Sequence, residues 1–399
     1  MSKRIKVRIL AGVCLVFVII GLIHVKDWFG ISGENVPQNN SANEYSQAIQ
    51  HIKESFSIEK RRSFYEDLKI YLHNTDSLDV DHADTVFFES EQDCYFSPHT
   101  DVNILSNGDY IISENYPAPF VAEFSRTGEF IRKIGRCGNG PGEYQDPTFV
   151  DIKDDTIYCY DIGKKVIRYW KDGRVIDEYK TEGRSFFCKD FSVLPYSGEI
   201  VFYNIFQNLK PNIFSILRIN HNKKILSLTG EYGTMGRPNI VSRGFLVRGL
   251  ETSREGYVFA VEPQKYGFYV FDDRGAFQAF FTDHKFKPLF KLEKISKIDM
   301  TNEREQSDLF WSHSRFRYIH YLGKGIIGIT VENPKKKRDK TIPFYYTFWR
   351  ADGEYLGCLK CPHRIVSGSG GTLYFWNEEL TRLENGMYGN PQLVAVKVF

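Results

Sequence analysis

The sequence predicts an all-β fold built from six similar units, and three observations support this prediction. Aromatic residues make up 15% of the chain, with 32 Phe and 24 Tyr, and aromatic side chains favour strands over helices. A turn residue followed by a short apolar run and a polar end occurs six times. Five tight turns recur at matching positions between these runs. Units of this kind cannot bury their faces alone, so they must stack on one another.

Each of the six runs begins at a glycine or an aspartate and ends at an acid or an amide. A short apolar run between turn residues is the composition expected of a strand. The runs are Gly108–Glu114, Asp155–Asp161, Gly198–Asn204, Gly256–Glu262, Gly325–Glu332 and Gly371–Asn377. Turns rich in Gly, Asp and Asn then predict hairpins between the third and fourth strands of each unit. These hairpins are Phe124–Arg132, Tyr169–Asp177, Leu217–Ile225, Val270–Gln278 and Trp349–Gly357.

The last unit has no hairpin of its own, and this predicts a ring that closes through both ends of the chain. Residues 393–399 would form the third strand of the last unit, and residues 85–90 would supply its fourth strand. Closure leaves only short strand edges exposed, whereas a linear stack has no reason to be one strand short. The sequence therefore predicts a six-bladed β-propeller over residues 84–399.

The N-terminal segment predicts a membrane anchor. Residues 1–8 carry four basic side chains and form a cytoplasmic tail, and residues 9–25 are uncharged. A helix of this length spans roughly 26 Å, close to the bilayer core of about 30 Å. Basic residues stay cytoplasmic, so the chain after Lys26 would lie in the periplasm of a single-pass inner-membrane protein. A cleaved signal peptide and a lipoprotein, suggested by Leu10–Cys14, are the alternatives.

Residues 26–83 are predicted to form a stalk that contains an amphipathic helix. Residues 31–42 are rich in Gly, Ser, Asn and Pro and indicate a flexible segment. Between residues 43 and 71, apolar side chains recur at helical spacing, so one or two helices would pack against the body or extend the stalk. These side chains are Ile49, Ile52, Phe56, Phe64, Leu68 and Tyr71.

A glycine-rich connector follows the first unit, from Gly135-Arg136 through the sequence Gly-Asn-Gly-Pro-Gly-Glu-Tyr that ends at Tyr144. Pro141 interrupts its glycines, and the next element is another strand, so it does not have the pattern of a phosphate-binding loop. Together with the strand repeats, this segment resembles the six-bladed β-propeller family of Gram-negative cell envelopes, related to NHL-repeat and TolB-like propellers. The resemblance covers residues 84–399. It implies the fold and little about activity, because the family does not carry one function.

The strand order places the connectors between blades and the loops after the second strands on one face of the ring. Arginines on the connectors suit carboxylate, phosphate or sulfate groups. The acids and amides at the strand ends would lie just beneath these loops, although each could instead cap its own hairpin. The predicted ligand-binding residues are Arg136, Arg184, Arg237, Arg243, Arg364, Glu114, Asp161, Asn204, Glu262, Glu332 and Asn377.

Charge and motifs favour a binding protein over an enzyme. The net charge of +2 gives no indication of nucleic-acid binding. The sequence has neither H-E-x-x-H nor G-x-S-x-G, so no catalytic residue, metal ligand or cofactor is predicted. We expect a propeller that binds a polar glycan, peptide or envelope protein, with an anionic partner as one option. The alternatives are a metal-dependent hydrolase or lyase, with Ca²⁺ or Zn²⁺ held on the axis by the strand-end acids and amides, and a purely architectural protein.

Overall fold

The structure is a computed structural model, and one compact unit runs from Ala42 to Phe399. The predicted tail, anchor and flexible segment, residues 1–41, lie outside the described part of the chain. The described residues are 42–89, 94–96, 100–115, 118–164, 166–180, 188–205, 214–219, 225–232, 248–262, 265–282, 315–332, 344–361, 363–377 and 391–399. Within these ranges, no helix has the length and apolar character needed to cross a membrane.

Six antiparallel sheets of four strands each make up the body, which confirms the predicted propeller. Each strand pairs with its neighbours in the chain because tight turns join most of them, as the glycine-rich turn sequences predict. The first strand of every sheet contacts the first strand of the next sheet around the complete ring. These six first strands therefore surround the propeller axis.

Blades 1 to 3 take their strands in chain order from the axis outwards. Blade 1 consists of β2 (Asp101–Ile104), β3 (Tyr110–Glu114), β4 (Phe120–Phe124) and β5 (Phe130–Lys133). Blade 2 consists of β8 (Pro147–Lys153), β9 (Thr156–Asp161), β10 (Val166–Lys171) and β11 (Arg174–Lys180). Blade 3 consists of β12 (Cys188–Val193), β13 (Ile200–Ile205), β14 (Phe214–Ile219) and β15 (Ile225–Tyr232).

Blades 4 to 6 repeat this order, except that the last blade takes its outer strand from the start of the propeller. Blade 4 consists of β16 (Leu250–Thr252), β17 (Val258–Glu262), β18 (Lys265–Phe271) and β19 (Phe277–Phe281). Blade 5 consists of β20 (Arg315–Gly323), β21 (Ile326–Glu332), β22 (Phe344–Arg350) and β23 (Tyr355–Cys361). Blade 6 consists of β24 (Ile365–Ser369), β25 (Thr372–Trp376), β26 (Gln392–Lys397) and β1 (Asp84–Phe87).

Ring closure in blade 6 follows the sequence prediction. Strand β1 pairs antiparallel with β26, from Asp84 opposite Ala395 to Phe87 opposite Gln392. The outer strand ends at Phe87, a few residues earlier than the predicted 85–90 segment. Since the two ends of the propeller share one sheet, neither can leave without opening the ring.

In the described residues before the propeller there are two helices and a short 3-10 helix: α1 (Ala42–Ser55), the 3-10 helix (Glu59–Arg61) and α2 (Arg62–Asn74). Helix α1 contacts β19 of blade 4, and α2 contacts β23 of blade 5. Of the two arrangements that the sequence left open, the described helices therefore adopt packing against the body. Leu72 takes the buried position that the periodicity assigned to Tyr71, because the buried face of α2 follows Tyr65, Leu68 and Leu72.

Phe56, in the link between the two helices, forms the centre of this contact. Its side chain is completely buried. The ring lies 5.3 Å from the ring of Tyr257, 6.1 Å from that of Phe259 and 5.9 Å from that of Tyr321, measured between centroids. These partners belong to blades 4 and 5, so the helical segment shares its core with the propeller.

The glycine-rich connector between blades 1 and 2 holds these two blades together. It contains two short parallel strands, β6 (Arg136–Cys137) and β7 (Glu143–Tyr144). Gly142 has a φ of 74°, a conformation that glycine adopts without strain. The turn directs Tyr144 into the core, where its hydroxyl accepts a hydrogen bond of 3.1 Å from the Val121 N–H of blade 1. Its ring packs edge-on against Trp170 of blade 2.

This geometry predicts a measurable cost when the Tyr144 hydroxyl is removed. Tyr144→Phe keeps the ring contact with Trp170 but leaves the buried Val121 N–H without its acceptor, and we expect a loss of about 1–3 kcal/mol in the free energy of unfolding. Denaturant titration measures this loss. Tyr196→Phe, at a side chain that is 74% exposed, is the matched control and should change stability little. Equal stabilities for the two variants would contradict the role assigned to the hydroxyl.

Candidate binding site on the propeller axis

The connector arginines predicted from the sequence do not form one described group. Arg136 is exposed and donates from Nε to Oε1 of Glu143 at 2.5 Å. Glu143 also accepts the Gly140 N–H at 2.6 Å, and this backbone bond, followed by Arg136, lowers the pKa of Glu143. Arg136 thus belongs to the internal bonding of the connector. The other three connector arginines before blade 5 lie outside the described residues: Arg184, Arg237 and Arg243.

Arg364 lies in the interior of the ring. Only 8% of its surface is exposed, and its guanidinium carbon lies 5.7 Å from the ring centroid of Tyr318, at the first strand of blade 5. A cation over an aromatic face is attracted by the ring quadrupole. The predicted ligand-binding role of Arg364 stays a prediction.

Two acids at the ends of the second strands, Asp161 and Glu114, make hydrogen bonds within their own blade or to the connector beside it. Asp161 accepts the N–H groups of Gln145 at 2.8 Å and of Asp146 and Lys164 at 3.1 Å. Glu114 is buried and accepts from the Thr100 hydroxyl and, at 2.9 Å, from the Asn115 N–H. These contacts are the capping arrangement that the sequence left open as an alternative.

The remaining strand-end residues are spread over the other blades. Glu332 is buried at the end of β21. Asn377 donates from Nδ2 to the side-chain oxygen of Gln392 at 3.4 Å. Asn204 is the next-to-last residue of β13 and Glu262 is the last residue of β17, and their side chains lie outside the description. A shared ligand site for the eleven predicted residues stays a prediction.

The described structure instead gathers charged residues around the axis. The first strands of blades 1 to 4 each contribute one carboxyl group, and Arg248, two residues before β16, contributes a guanidinium. We call these five residues the axial cluster: Asp101, Asp151, Asp190, Arg248 and Glu251. Their side chains come from four consecutive blades, so the cluster exists only in the closed ring.

Arg248 connects opposite sides of the axis. Its Nη2 donates to the Asp101 carboxylate of blade 1 and, at 2.9 Å, to the Val150 carbonyl of blade 2. Its own carbonyl accepts the Ile319 N–H of blade 5 at 3.1 Å. Arg248 and Asp101 are separated by 147 positions in the sequence, so this single side chain links distant parts of the ring.

Three of the four carboxyl groups also connect each blade to the next. Asp101 accepts the Val150 N–H of blade 2 at 3.4 Å. Asp151 accepts the Val193 N–H of blade 3 at 2.7 Å, and Asp190 accepts the Leu250 N–H of blade 4 at 3.0 Å. These inter-blade hydrogen bonds give the three aspartates a structural role.

Glu251 differs from the other three acids. Its hydrogen bond comes from the next residue of its own strand, from the Thr252 N–H to Oε1 at 3.3 Å. Glu251 is half-buried, as is Asp151, whereas Asp190 is only 2% exposed. The hydroxyl of the next residue, Thr252, lies 2.9 Å from that of Ser192. Glu251 is therefore the axial carboxyl group with the most capacity to accept a hydrogen bond from a ligand.

Burial dominates the electrostatics of the cluster. It raises the pKa of Asp190 to about 8, and Arg248 only partly opposes this shift. Burial, followed by repulsion from Asp151, raises the pKa of Glu251 well above its usual value, and burial also raises the pKa of Asp101 and Asp151. Burial lowers the pKa of Arg248, but the surrounding carboxylates more than offset this and the net shift is upward. Within the described residues, Arg248 is the permanent cation that acts on all four carboxyl groups.

His320 on the first strand of blade 5 lies near this cluster. Burial, and then the charge of Arg248, lower its pKa to about 3, so the imidazole is neutral at physiological pH. Its Nδ1 lies 3.1 Å from the Tyr346 hydroxyl. Among the residues that the structure describes, no three His, Cys, Asp or Glu side chains are grouped to hold a metal ion. A metal on the axis stays a prediction.

Sequence reasoning missed the axial cluster. A signal was present at Asp151, because acids are depleted in strands and this one lies inside the apolar segment Phe149-Val150-Asp151-Ile152. The predicted site residues lie on the connectors and at the ends of the second strands, and none lies on a first strand. Arg248 carries no local motif that distinguishes it from the other arginines.

Comparison with known proteins agrees with this architecture. A family model, DUF5128, described as a 6-bladed beta-propeller, matches residues 80–321. The match begins just before β1 and ends within β20, while the sheets continue through β26. The chain matches none of the curated proteins.

One solved structure shows the same fold at low sequence identity, and two others align less closely. A protein of Bacteroides fragilis described as exported aligns with a TM-score of 0.61 at 12% identity, covering 82% of this chain and 98% of its own. A luciferin-regenerating enzyme aligns with a TM-score of 0.46 at 10% identity, covering 79% and 95%. Virginiamycin B lyase from Staphylococcus aureus aligns with a TM-score of 0.43 at 11% identity, covering 79% and 99%. TM-scores below 0.5 carry no argument about the chemistry of this chain.

Proposed function

The chain belongs to the DUF5128 family of six-bladed β-propellers, and we propose that it is an exported, non-catalytic propeller that binds a polar ligand, a glycan, on its axis. Residues 9–25 would tether it to the inner membrane with the propeller in the periplasm. The exported character of the Bacteroides fragilis protein supports a periplasmic or secreted propeller, and the tether is proposed from the sequence of residues 1–25 alone.

One observation carries the proposed function, namely the excess of carboxyl groups over cations in the axial cluster. Burying charged groups is costly even where they are paired, so a purely structural centre would be better served by apolar side chains. Perturbed carboxyl groups concentrate at functional sites. Three of the four carboxyl groups, those of the aspartates, accept hydrogen bonds from the next blade. The fourth, Glu251, is the one that we propose contacts a ligand.

The chemistry of these groups favours hydroxyl-rich ligands. Carboxyl oxygens accept hydrogen bonds from sugar hydroxyls, and the Ser192 and Thr252 hydroxyl oxygens, whose protons go to Asp151 and to the Val193 carbonyl, have lone pairs that can accept others. The connector arginines had suggested an anionic partner, but an anion next to four carboxyl groups would be repelled unless the carboxyl groups were protonated. We therefore place the glycan at the axial cluster and keep the anionic partner for the connector face as the competing hypothesis.

A glycan array probed with the full-length protein, followed by calorimetric titration of the oligosaccharides that bind, tests the proposal. We expect Glu251→Gln to weaken binding by about threefold to tenfold, because the amide replaces one of the two acceptor oxygens with an NH₂ group, and a hydrogen bond between neutral groups contributes roughly 0.5–1.5 kcal/mol. The matched variant Arg136→Ala, on the connector face, should bind as the unmodified protein does. Loss of binding in Arg136→Ala with full binding in Glu251→Gln would place the site on the connectors. An array with no binding oligosaccharide would contradict the glycan proposal.

A further inference from the structure

Asn139 and Gly140 form an Asn-Gly pair in the connector between blades 1 and 2. In such a pair the backbone nitrogen of the glycine can attack the side-chain amide carbon of the asparagine, because glycine has no Cβ that obstructs the approach. The attack closes a succinimide ring and releases ammonia. Water then opens the ring at either carbonyl and leaves aspartate or its isomer isoaspartate. Asn139 is exposed, so water reaches it.

Glu143 lies where a base for this reaction is needed. Its Oε2 accepts the Gly140 N–H at 2.6 Å, a distance from which a carboxylate can take that proton. The same backbone bond, followed by Arg136, lowers the pKa of Glu143, so the carboxylate is ionised at neutral pH. A Cβ at position 140 would lie only 3.0 Å from Oε2. The glycine that permits the attack therefore also admits the base.

Gln145 contacts the other reacting group. Its Nε2 donates to Oδ1 of Asn139, the oxygen that gains negative charge when the amide carbon is attacked. A donor placed at such an oxygen stabilises the intermediate. Lys164 adds a positive charge nearby, because its Nζ donates to the carbonyls of Gly140 at 3.3 Å and Glu143 at 2.7 Å. Nucleophile, base and electrophile are therefore held together in one connector.

We propose that Asn139 is a site of self-modification, at which Glu143 takes the Gly140 N–H proton while the Gly140 nitrogen bonds to Cγ of Asn139. The bond from Cγ to the side-chain nitrogen breaks, that nitrogen leaves with the proton as ammonia, and solvent water hydrolyses the succinimide. The product places a new carboxyl group close to Glu143. Its isoaspartate form also lengthens the backbone of the connector that positions Tyr144. This inference does not depend on the proposed glycan.

Asn107 and Gly108 form a matched pair in the same protein. Asn107 is also exposed, and its Oδ1 accepts the Asp109 N–H at 3.0 Å, so a donor holds the side chain at both pairs. The Gly108 N–H, however, donates to the Leu105 carbonyl at 3.0 Å, and a backbone carbonyl is too weak a base to take the proton. The base at the glycine nitrogen is therefore what distinguishes Asn139 from Asn107.

Peptide mapping by mass spectrometry tests the proposal on the full-length protein, incubated at neutral pH and sampled over time. We expect Asn139 to be converted at least about tenfold faster than Asn107, because a positioned base accelerates proton transfer by that much or more. Glu143→Gln keeps an oxygen that accepts the Gly140 N–H but removes the base, so it should slow conversion of Asn139 by about tenfold and leave Asn107 unchanged. The control Glu129→Gln, at an exposed carboxylate, should change neither rate.

Denaturant separates this mechanism from the ordinary reactivity of Asn-Gly pairs. The unfolded chain holds neither Glu143 nor Gln145 in place, so the two pairs should react at similar rates there, and Asn139 about tenfold more slowly than in the native protein. Equal rates at the two pairs in the native protein would overturn the proposal, as would a Glu143→Gln variant that converts Asn139 as fast as the unmodified protein or faster. If Glu143→Gln fails to fold, the comparison of native and denatured unmodified protein decides the question.

Discussion

Replacement of Arg248 by methionine is expected to lower the free energy of unfolding by about 3–5 kcal/mol. The substitution keeps most of the volume of the side chain but removes the cation on the axis. Asp101 would then lose its ion-pair partner, and the Val150 carbonyl would lose its 2.9 Å hydrogen bond. A buried carboxylate without a cation is costly because the protein interior screens charge poorly. Chemical denaturation monitored by circular dichroism measures the loss.

Arg132→Met is the matched control for this prediction. Arg132 also donates to a carboxylate, Oε2 of Glu123 at 2.7 Å, but 42% of its side chain is exposed. Exposed ion pairs contribute about 0–1 kcal/mol, so this variant should lose little stability. If Arg248→Met were as mild as Arg132→Met, the guanidinium on the axis would have no special importance.

Phe56→Ala is expected to destabilise the protein by a similar amount, about 3–5 kcal/mol. The ring is fully buried against Tyr257, Phe259 and Tyr321, and its removal leaves a cavity that the rigid blade edges cannot fill. Because the helices and blades 4 and 5 share this core, the loss should appear in a single unfolding transition of the whole unit. Denaturant titration with separate helix and aromatic signals checks this expectation.

Ile70→Ala supplies the control on the same helical segment, since Ile70 is 60% exposed and its truncation should cost less than about 0.5 kcal/mol. A second outcome would also be informative. If Phe56→Ala released the helices at low denaturant while the aromatic signal of the blades kept its original midpoint, the helices would be an independent attachment and the shared core would be refuted.

The blade count and the ring closure were predictable because their signals are local. Each turn and its flanking strands lie within a few residues of one another, and the missing outer strand of blade 6 followed from the number of hairpins. The burial of Phe56 followed from helical periodicity in the same way. The periodicity placed Tyr71 on the buried face, whereas its neighbour Leu72 is the buried residue. Apolar spacing predicts the presence of a helix more closely than it predicts which residues face the core.

The axial cluster was not predictable in this way. The distance of a strand from the axis depends on how the blades stack. The Ser192 hydroxyl of blade 3 donates to Asp151 of blade 2, and nothing in the sequence of β8 predicts this contact. The partner of Arg248 lies 147 positions away, where no spacing rule applies. For Asp161, the sequence was compatible with a ligand contact and with capping of its own hairpin. The structure shows the capping contacts, because Asp161 accepts three backbone hydrogen bonds.

The central claim is that Arg248 and the carboxyl groups around it act as one unit that holds the axis together. A double-mutant cycle with Arg248→Met and Asp101→Asn tests this claim most directly, because it measures the coupling between two side chains on opposite sides of the ring. We predict that the double variant is more stable than the sum of the two single losses implies, by about 1–3 kcal/mol. Losses that add within about 0.5 kcal/mol would show that the two groups act independently and would contradict the claim.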